Sequence, residues 1–252
     1  MKNLFNSLQS RNFNIKNRSM KTYYKKLFLV ILVCTNFQIR AQTIDVNSEI
    51  QTEFIDITGL FGVPEPASVT QFNYQKKNFN LNLYHAFSLQ EFGKTIQTII
   101  TPSYTFKLDH ANQFFIKPKI EIANIETAGG GFVRPGTHFI FKNNKNSIVN
   151  FGTWAFIDFR NKNIFPKRLN GFTFMISYTY YNDIAKNWKC TSETRVLYVD
   201  IVNTLQLSGL FQNIRFEYKP LGVSLGTNGV YTFYKSDHNN QFFNNFTLSK
   251  TL

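Results

Sequence analysis

From Gln42 to the end of the chain, apolar and polar residues alternate with a period of two in arm after arm, and a helical period of 3.6 is almost absent. The first arm sets Ile44, Val46, Ile50 and Phe54 on one side and Asp45, Asn47, Glu49, Gln51 and Glu53 on the other. Successive side chains of a strand point to opposite faces, so the pattern predicts strands with one apolar and one wet side. Gly59 to Pro66 interrupts the pattern as a loop. A hairpin is expected over 67–76 and 78–90, turning at Lys76-Lys77-Asn78. Its second arm sets Phe79, Leu81, Leu83 and Phe87 against Asn80, Asn82, Tyr84 and Ser88. In the next pair, Ile96, Ile100, Tyr104, Phe106 and Leu108 share a face. The chain turns through Asp109 to Asn112 and returns with Ile116, Ile120 and Ile122 opposite Lys117, Lys119 and Glu121.

Beyond the glycine-rich loop Thr127–Gly131, arms are expected near 136–143, 146–159, 171–181, 188–200, 204–219, 221–235 and 240–252. The arms at 136–143 and 146–159 carry apolar residues on both faces, whereas 171–181 alternates cleanly through Phe172, Phe174, Ile176, Tyr178 and Tyr180. The tally is about twelve strands, within a range of 10–14, on the boundary tolerance of such readings. Many arms exceed the globular norm of about 5–6 residues and match the roughly 9–11 a strand needs to cross a bilayer. Lipid cannot hydrogen-bond backbone groups, so a membrane-spanning sheet must close on itself. The expected fold is therefore all-β: a closed antiparallel up-and-down transmembrane β-barrel over 42–252. Its apolar side chains would face lipid and its polar ones the lumen. Trp154, Tyr180, Tyr181 and Trp188 lie near arm ends, where aromatic girdles meet the membrane–water interface.

The N-terminus carries a different message. Lys21, Lys25 and Lys26 precede the apolar run Leu27–Val33, and a polar stretch leads to Ala41. That is the order of a secretory signal, with cleavage expected after Ala41 and Met20 as an alternative start. The run is far short of the ~20 residues of a spanning helix. Cys34 follows Val33 rather than a small residue, which argues against a lipidated cysteine. Residues 1–41 also hold eight basic side chains and no acid, so a net charge of +13 drops to +5 once they are set aside. The remaining Lys and Arg are scattered, which excludes the clustered basic face of a nucleic-acid binder. Cys190 is the one cysteine after the signal, so no internal disulfide framework is available.

Chemistry-bearing motifs are sparse. His85, His110, His138 and His238 form no HExxH and no close pair, so neither a metal nor a cofactor is expected. GxSxG and GxGxxG are absent. What remains is a set of charged residues on the faces assigned to the lumen: Glu49, Glu53, Lys117, Lys119, Glu121, Glu193, Arg195, Arg215 and Glu217. Such a set either lines a selective pore or fills a narrow barrel with salt bridges.

The alternating arms, the export signal and the amphipathic end Phe246, Leu248, Leu252 together resemble outer-membrane β-barrel proteins of Gram-negative bacteria as a class. In that class the last residue tends to be aromatic and is read by the insertion machinery; here it is Leu252, with Lys250 on the apolar face. The resemblance implies an outer-membrane location, membrane lipid and the insertion machinery as partners, and a passive channel or small-solute-binding role without a cofactor. The alternatives are a barrel enzyme acting on lipid or peptide and a secreted β-sandwich binding module.

Overall fold

The computed structural model describes residues 43–55, 62–91, 93–111, 113–125, 130–144, 146–160, 169–201, 205–234 and 241–251. The export signal expected within 1–41 lies outside the described residues.

Twelve long strands form one antiparallel sheet that closes on itself. They are β1 (Thr43–Gln51), β2 (Ala67–Lys76), β3 (Phe79–Ser88), β4 (Thr95–Tyr104), β5 (Phe114–Ile125) and β6 (Gly130–Asn144), then β7 (Ser147–Asp158), β8 (Gly171–Ala185), β9 (Trp188–Ile201), β10 (Leu205–Tyr218), β11 (Val223–Tyr234) and β12 (Gln241–Thr251). Each strand pairs with its sequence neighbour, and β1 closes the ring against β12 with Asn47 opposite Thr251. This is the up-and-down barrel expected from the alternation, with the expected strand number. A single closed sheet leaves no room for the two stacked sheets of a β-sandwich.

The two rims differ. At one, which also holds Thr43 and Thr251, adjacent strands are joined by tight connections at 77–78, 186–187 and 219–222. At the other, the connections 52–66 and 159–170 are the long ones. Asp158 anchors the second of these: its carboxylate accepts from Arg160 Nε at 3.1 Å, from Arg160 Nη2 at 2.9 Å and from the Leu169 N–H at 2.9 Å.

Period-two alternation decides which side chains meet the interior. On β8, Ile176 is 56% exposed while its neighbour Ser177 is 4% exposed. The outward set of β8 is Phe172, Phe174, Ile176, Tyr178 and Tyr180, all exposed. Similar outward rows run along β5 (Ile120, Ile122) and β10 (Leu210, Ile214, Phe216). The outer wall thus presents large apolar side chains, the reverse of a soluble protein's surface.

Two segments depart from simple alternation. Ile96 does not share the outward face of Ile100 and Tyr104; it is buried inside. The register shows why: Ala86 pairs with Gln97 and Phe87 with Thr95, leaving Ile96 as the extra residue of a β-bulge. Phe54 likewise does not continue the outward row of Ile44 and Ile50. The strand ends at Gln51, and Phe54 and Ile55 pair with Gly62 and Val63 as a short hairpin folded into the barrel. Phe54 packs among Val69, Tyr84, Ala86, Ile96 and Ile99, while Ile55 packs on Phe211 and Val230 of the other wall.

Candidate functional site

The interior changes character along the barrel axis. Toward the rim of long loops it is apolar and closed to water: Ala86, Ile99 and Val230 are fully buried, as is the inward-facing Asn245. Leu197, Val199, Ile201 and Leu207 form a further apolar cluster with Trp154 and Met175. An eight-stranded barrel is filled by its own side chains and one of sixteen to eighteen strands holds an aqueous channel, so a twelve-stranded one stands between. Here the inward hairpin completes the filling of one half.

The half toward the short turns is polar, and among the described residues two of its cavities gather the charged side chains. The first, about 400 Å³, is lined by Glu49, Glu193, Arg195, Asn213, Arg215 and Glu217. The second, about 420 Å³, is bordered by Asn82, Ser103, Lys117, Lys119, Glu121 and His138. Alternation on β5 brings Lys117, Lys119 and Glu121 to one face, and the β5–β6 register sets His138 opposite Lys117 and Arg134 opposite Glu121.

Around the second cavity, Glu121 is held from two sides: Lys119 Nζ lies 2.6 Å from Oε1 and Arg134 Nε 2.9 Å from Oε2. All three side chains are largely sequestered, so each charge depends on the others for its solvation. Lys119 Nζ also sits 4.7 Å from the centroid of the Trp154 ring, a cation–π contact. The His138 ring stacks parallel on the same indole at 5.8 Å, and its Nδ1 is 3.0 Å from Asn150 Oδ1. Lys117 faces this cavity without an ion-pair partner among the described residues. The wall of β5 and β6 is therefore cation-rich.

Around the first cavity the charges alternate. Arg195 Nη2 pairs with Glu193 Oε1 at 2.7 Å, and its guanidinium lies 4.8 Å from the Phe211 ring centroid. Arg215 Nη2 reaches Glu49 Oε2 at 2.8 Å, past the two strands that separate β10 from β1. Above this level, a ladder of amides links the wall to the hairpin. Asn213 bonds Asn228, Asn228 Nδ2 donates to Asn245 Oδ1 at 2.8 Å, and Asn245 Nδ2 donates to the Glu53 carbonyl at 2.8 Å.

Eight of the nine charged residues singled out from the sequence line this interior: Glu49, Lys117, Lys119, Glu121, Glu193, Arg195, Arg215 and Glu217. Glu53 does not, because it lies past the end of β1 in the bend that turns the chain inward. Two of the four aromatic residues assigned to the interface also need correction. Trp188 and Tyr180 are exposed on the outer wall, but Trp154 is 5% exposed and points inward, and Tyr181 borders both the first cavity and the turn-side rim. Tyr180 and Tyr181 are consecutive in one strand and so must take opposite faces. Trp154 fits inside because its cross-strand partner is Gly136; a Cβ there would run into the Trp154 side chain and the Thr153 carbonyl.

Sequence reasoning missed Arg134, His138 and the asparagine ladder. Arg134 fell in what looked like the exit of a glycine-rich loop, whereas β6 begins at Gly130. The ladder residues were visible as polar positions on alternating arms, but only the register aligns them. Among the described residues, no cluster of His, Cys, Asp or Glu is arranged to hold a metal ion.

The barrel is similar in fold to solved outer-membrane channels. The KdgM porin, solved in complex with disordered oligogalacturonate, aligns with a TM-score of 0.53 at 12% identity, covering 84% of this chain and 98% of that one. The NanC porin gives 0.53 at 10% identity, covering 83% and 98%. The COG4313 outer membrane channel from Pseudomonas putida F1 gives 0.53 at 8% identity, covering 85% and 97%. No protein-family model matches the chain, and no curated protein matches it. At these identities the likeness is one of fold.

Proposed function

We propose that this protein is a passive, porin-like channel for small polar solutes in the outer membrane of a Gram-negative bacterium. In this reading it is exported by the signal within 1–41 and inserted by the outer-membrane machinery. The observation that carries the reading is the inverted barrel: large apolar side chains cover the outer wall while ion pairs and amides fill the turn-side interior. A soluble monomer rarely exposes contiguous apolar patches beyond a few hundred Å². On β9, the outward aromatics Trp188 and Tyr198 are ten residues apart. At ~3.3 Å per residue and a tilt of roughly 40°, that spacing gives about 25 Å, the height of a barrel's apolar band.

Lys117, Lys119 and Arg134 outnumber Glu121 on one wall, which favours anions at that level, as charged rings do in pores. A neighbour in fold, the KdgM porin, was solved with an acidic sugar chain, which is in keeping with this preference. Phe54 and Ile55 of the hairpin pack on two different walls of the interior, so in this reading passage requires the hairpin to move. His85 bonds Thr98 and His138 bonds Asn150, and neither pair contains the carboxylate–imidazole–nucleophile relay that an enzyme of the triad type needs.

The test is conductance of the refolded protein in planar bilayers, with and without residues 53–65. The hairpin-deleted channel should conduct in larger steps and prefer chloride over potassium, and Lys117→Glu with Lys119→Glu should reverse that preference. Sealed bilayers at every voltage for both forms would remove the channel reading.

A further inference from the structure

The outer wall is not uniformly apolar. Starting midway between Trp188 and Tyr198 on β9, the strands β9 to β12 present Ser192, Thr194, Gln212, Thr227 and Asn244 outward. The register puts Thr194 beside Gln212, Gln212 beside Gly229 and Gly229 beside Asn244, so the residues form one stripe around a quarter to a third of the barrel. The same row continued over β8, β7, β6 and β5 carries Tyr178, Val149, Phe141 and Phe114. Polar side chains at mid-bilayer are costly and seek partners.

The stripe satisfies itself only in part. Thr194 Oγ1 donates to Gln212 Oε1 at 2.5 Å, Gln212 Nε2 to Ser192 Oγ at 3.1 Å, and Thr227 Oγ1 to Asn244 Oδ1 at 3.1 Å. The Asn244 amide N–H groups have no acceptor among the described residues. At the centre lies Gly229, where a Cβ would meet nothing closer than the Phe242 ring edge at 4.0 Å, so another wall could approach the backbone. Small residues flanked by amides and hydroxyls are how membrane segments pack on one another.

We infer that the wall β9–β12 is buried against a second copy of this chain. The stripe holds amides and hydroxyls, donors and acceptors in equal kind, so a two-fold rotation sets Asn244 of each copy against acceptors of the other, as an isologous interface requires. The inference rests on the membrane reading given above.

Its test is single-molecule photobleaching of labelled protein in lipid vesicles, with gel mobility before and after boiling run on the same samples. The wild type should bleach in two steps. Gln212→Leu with Asn244→Leu should weaken association at least tenfold, although those changes make the wall more lipid-compatible. Gly229→Trp should give single steps, while Ile176→Trp on the apolar wall should leave two. Heat-modifiable barrels that bleach in one step at every protein-to-lipid ratio, or stripe variants that pair as the wild type does, would overturn the interface alone. Cross-linking of Gln212→Cys to a different protein in intact envelopes would overturn the choice of partner. Protein that dissolves without detergent would instead overturn the membrane reading beneath it.

Discussion

Trp154 faces inward because Gly136 leaves it room, and once there its ring contacts both Lys119 and His138. Gly136→Val should therefore cost about 1–3 kcal/mol, the usual range for overpacking, and lower the urea midpoint of the refolded barrel. Glu121 makes a second residue-scale case. Arg134→Leu leaves that carboxylate sequestered with Lys119 alone, and breaking a buried pair from one side costs roughly 3–5 kcal/mol. Replacing all three charges together, with Lys119→Met and Glu121→Leu added, should restore most of the loss; a triple variant no more stable than the single one would contradict this account of the cluster. The sequence already showed Lys117, Lys119 and Glu121 on one strand face, since a period of two is a local property. It did not show Trp154 inside, because an aromatic residue near a strand end suits a girdle or a lumen equally until the opposing residue is known.

At the scale of elements, the inward hairpin departs most from a plain barrel. Four contacts turn the chain after Gln51: Thr52 N–H donates to the Phe246 carbonyl at 3.1 Å, Phe246 N–H to Thr52 Oγ1 at 3.0 Å, Ile55 N–H to Gln51 Oε1 at 3.0 Å, and Asn245 Nδ2 to the Glu53 carbonyl. Phe54 and Ile55 then serve two different walls, so their burial joins β2–β5 to β10–β11. Replacing both by Ser should enlarge single-channel steps at a loss of several kcal/mol in stability, since burying a Phe or Ile side chain contributes about 1.5–3 kcal/mol. Unchanged conductance in that variant would show that the hairpin does not restrict passage. Sequence parity carried Phe54 onto the outward row, because three of the four contacts that capture the turn are made with Asn245 and Phe246 of β12, nearly two hundred positions away. The bulge at Ile96 escaped for a related reason: it is defined by pairing with β3, not by residue type.

For the whole molecule, strand number and closure were legible because ten-residue alternating arms admit few architectures other than a barrel in lipid. The filling of the lumen was not, since it depends on which inward residues meet across the barrel. Arg215 with Glu49 and Ile55 with Val230 join strands far apart in sequence. All of it depends on the outer wall being solvated by lipid, and the two tryptophans of the chain report on that directly, one 42% exposed on the outer wall and one 5% exposed within. The decisive measurement is tryptophan quenching by brominated lipids in reconstituted vesicles, using Trp154→Phe to isolate Trp188 and Trp188→Phe to isolate Trp154. Strong quenching of Trp188 with little of Trp154 is the expected result. Equal insensitivity of both, in protein that remains folded, would contradict a lipid-facing outer wall.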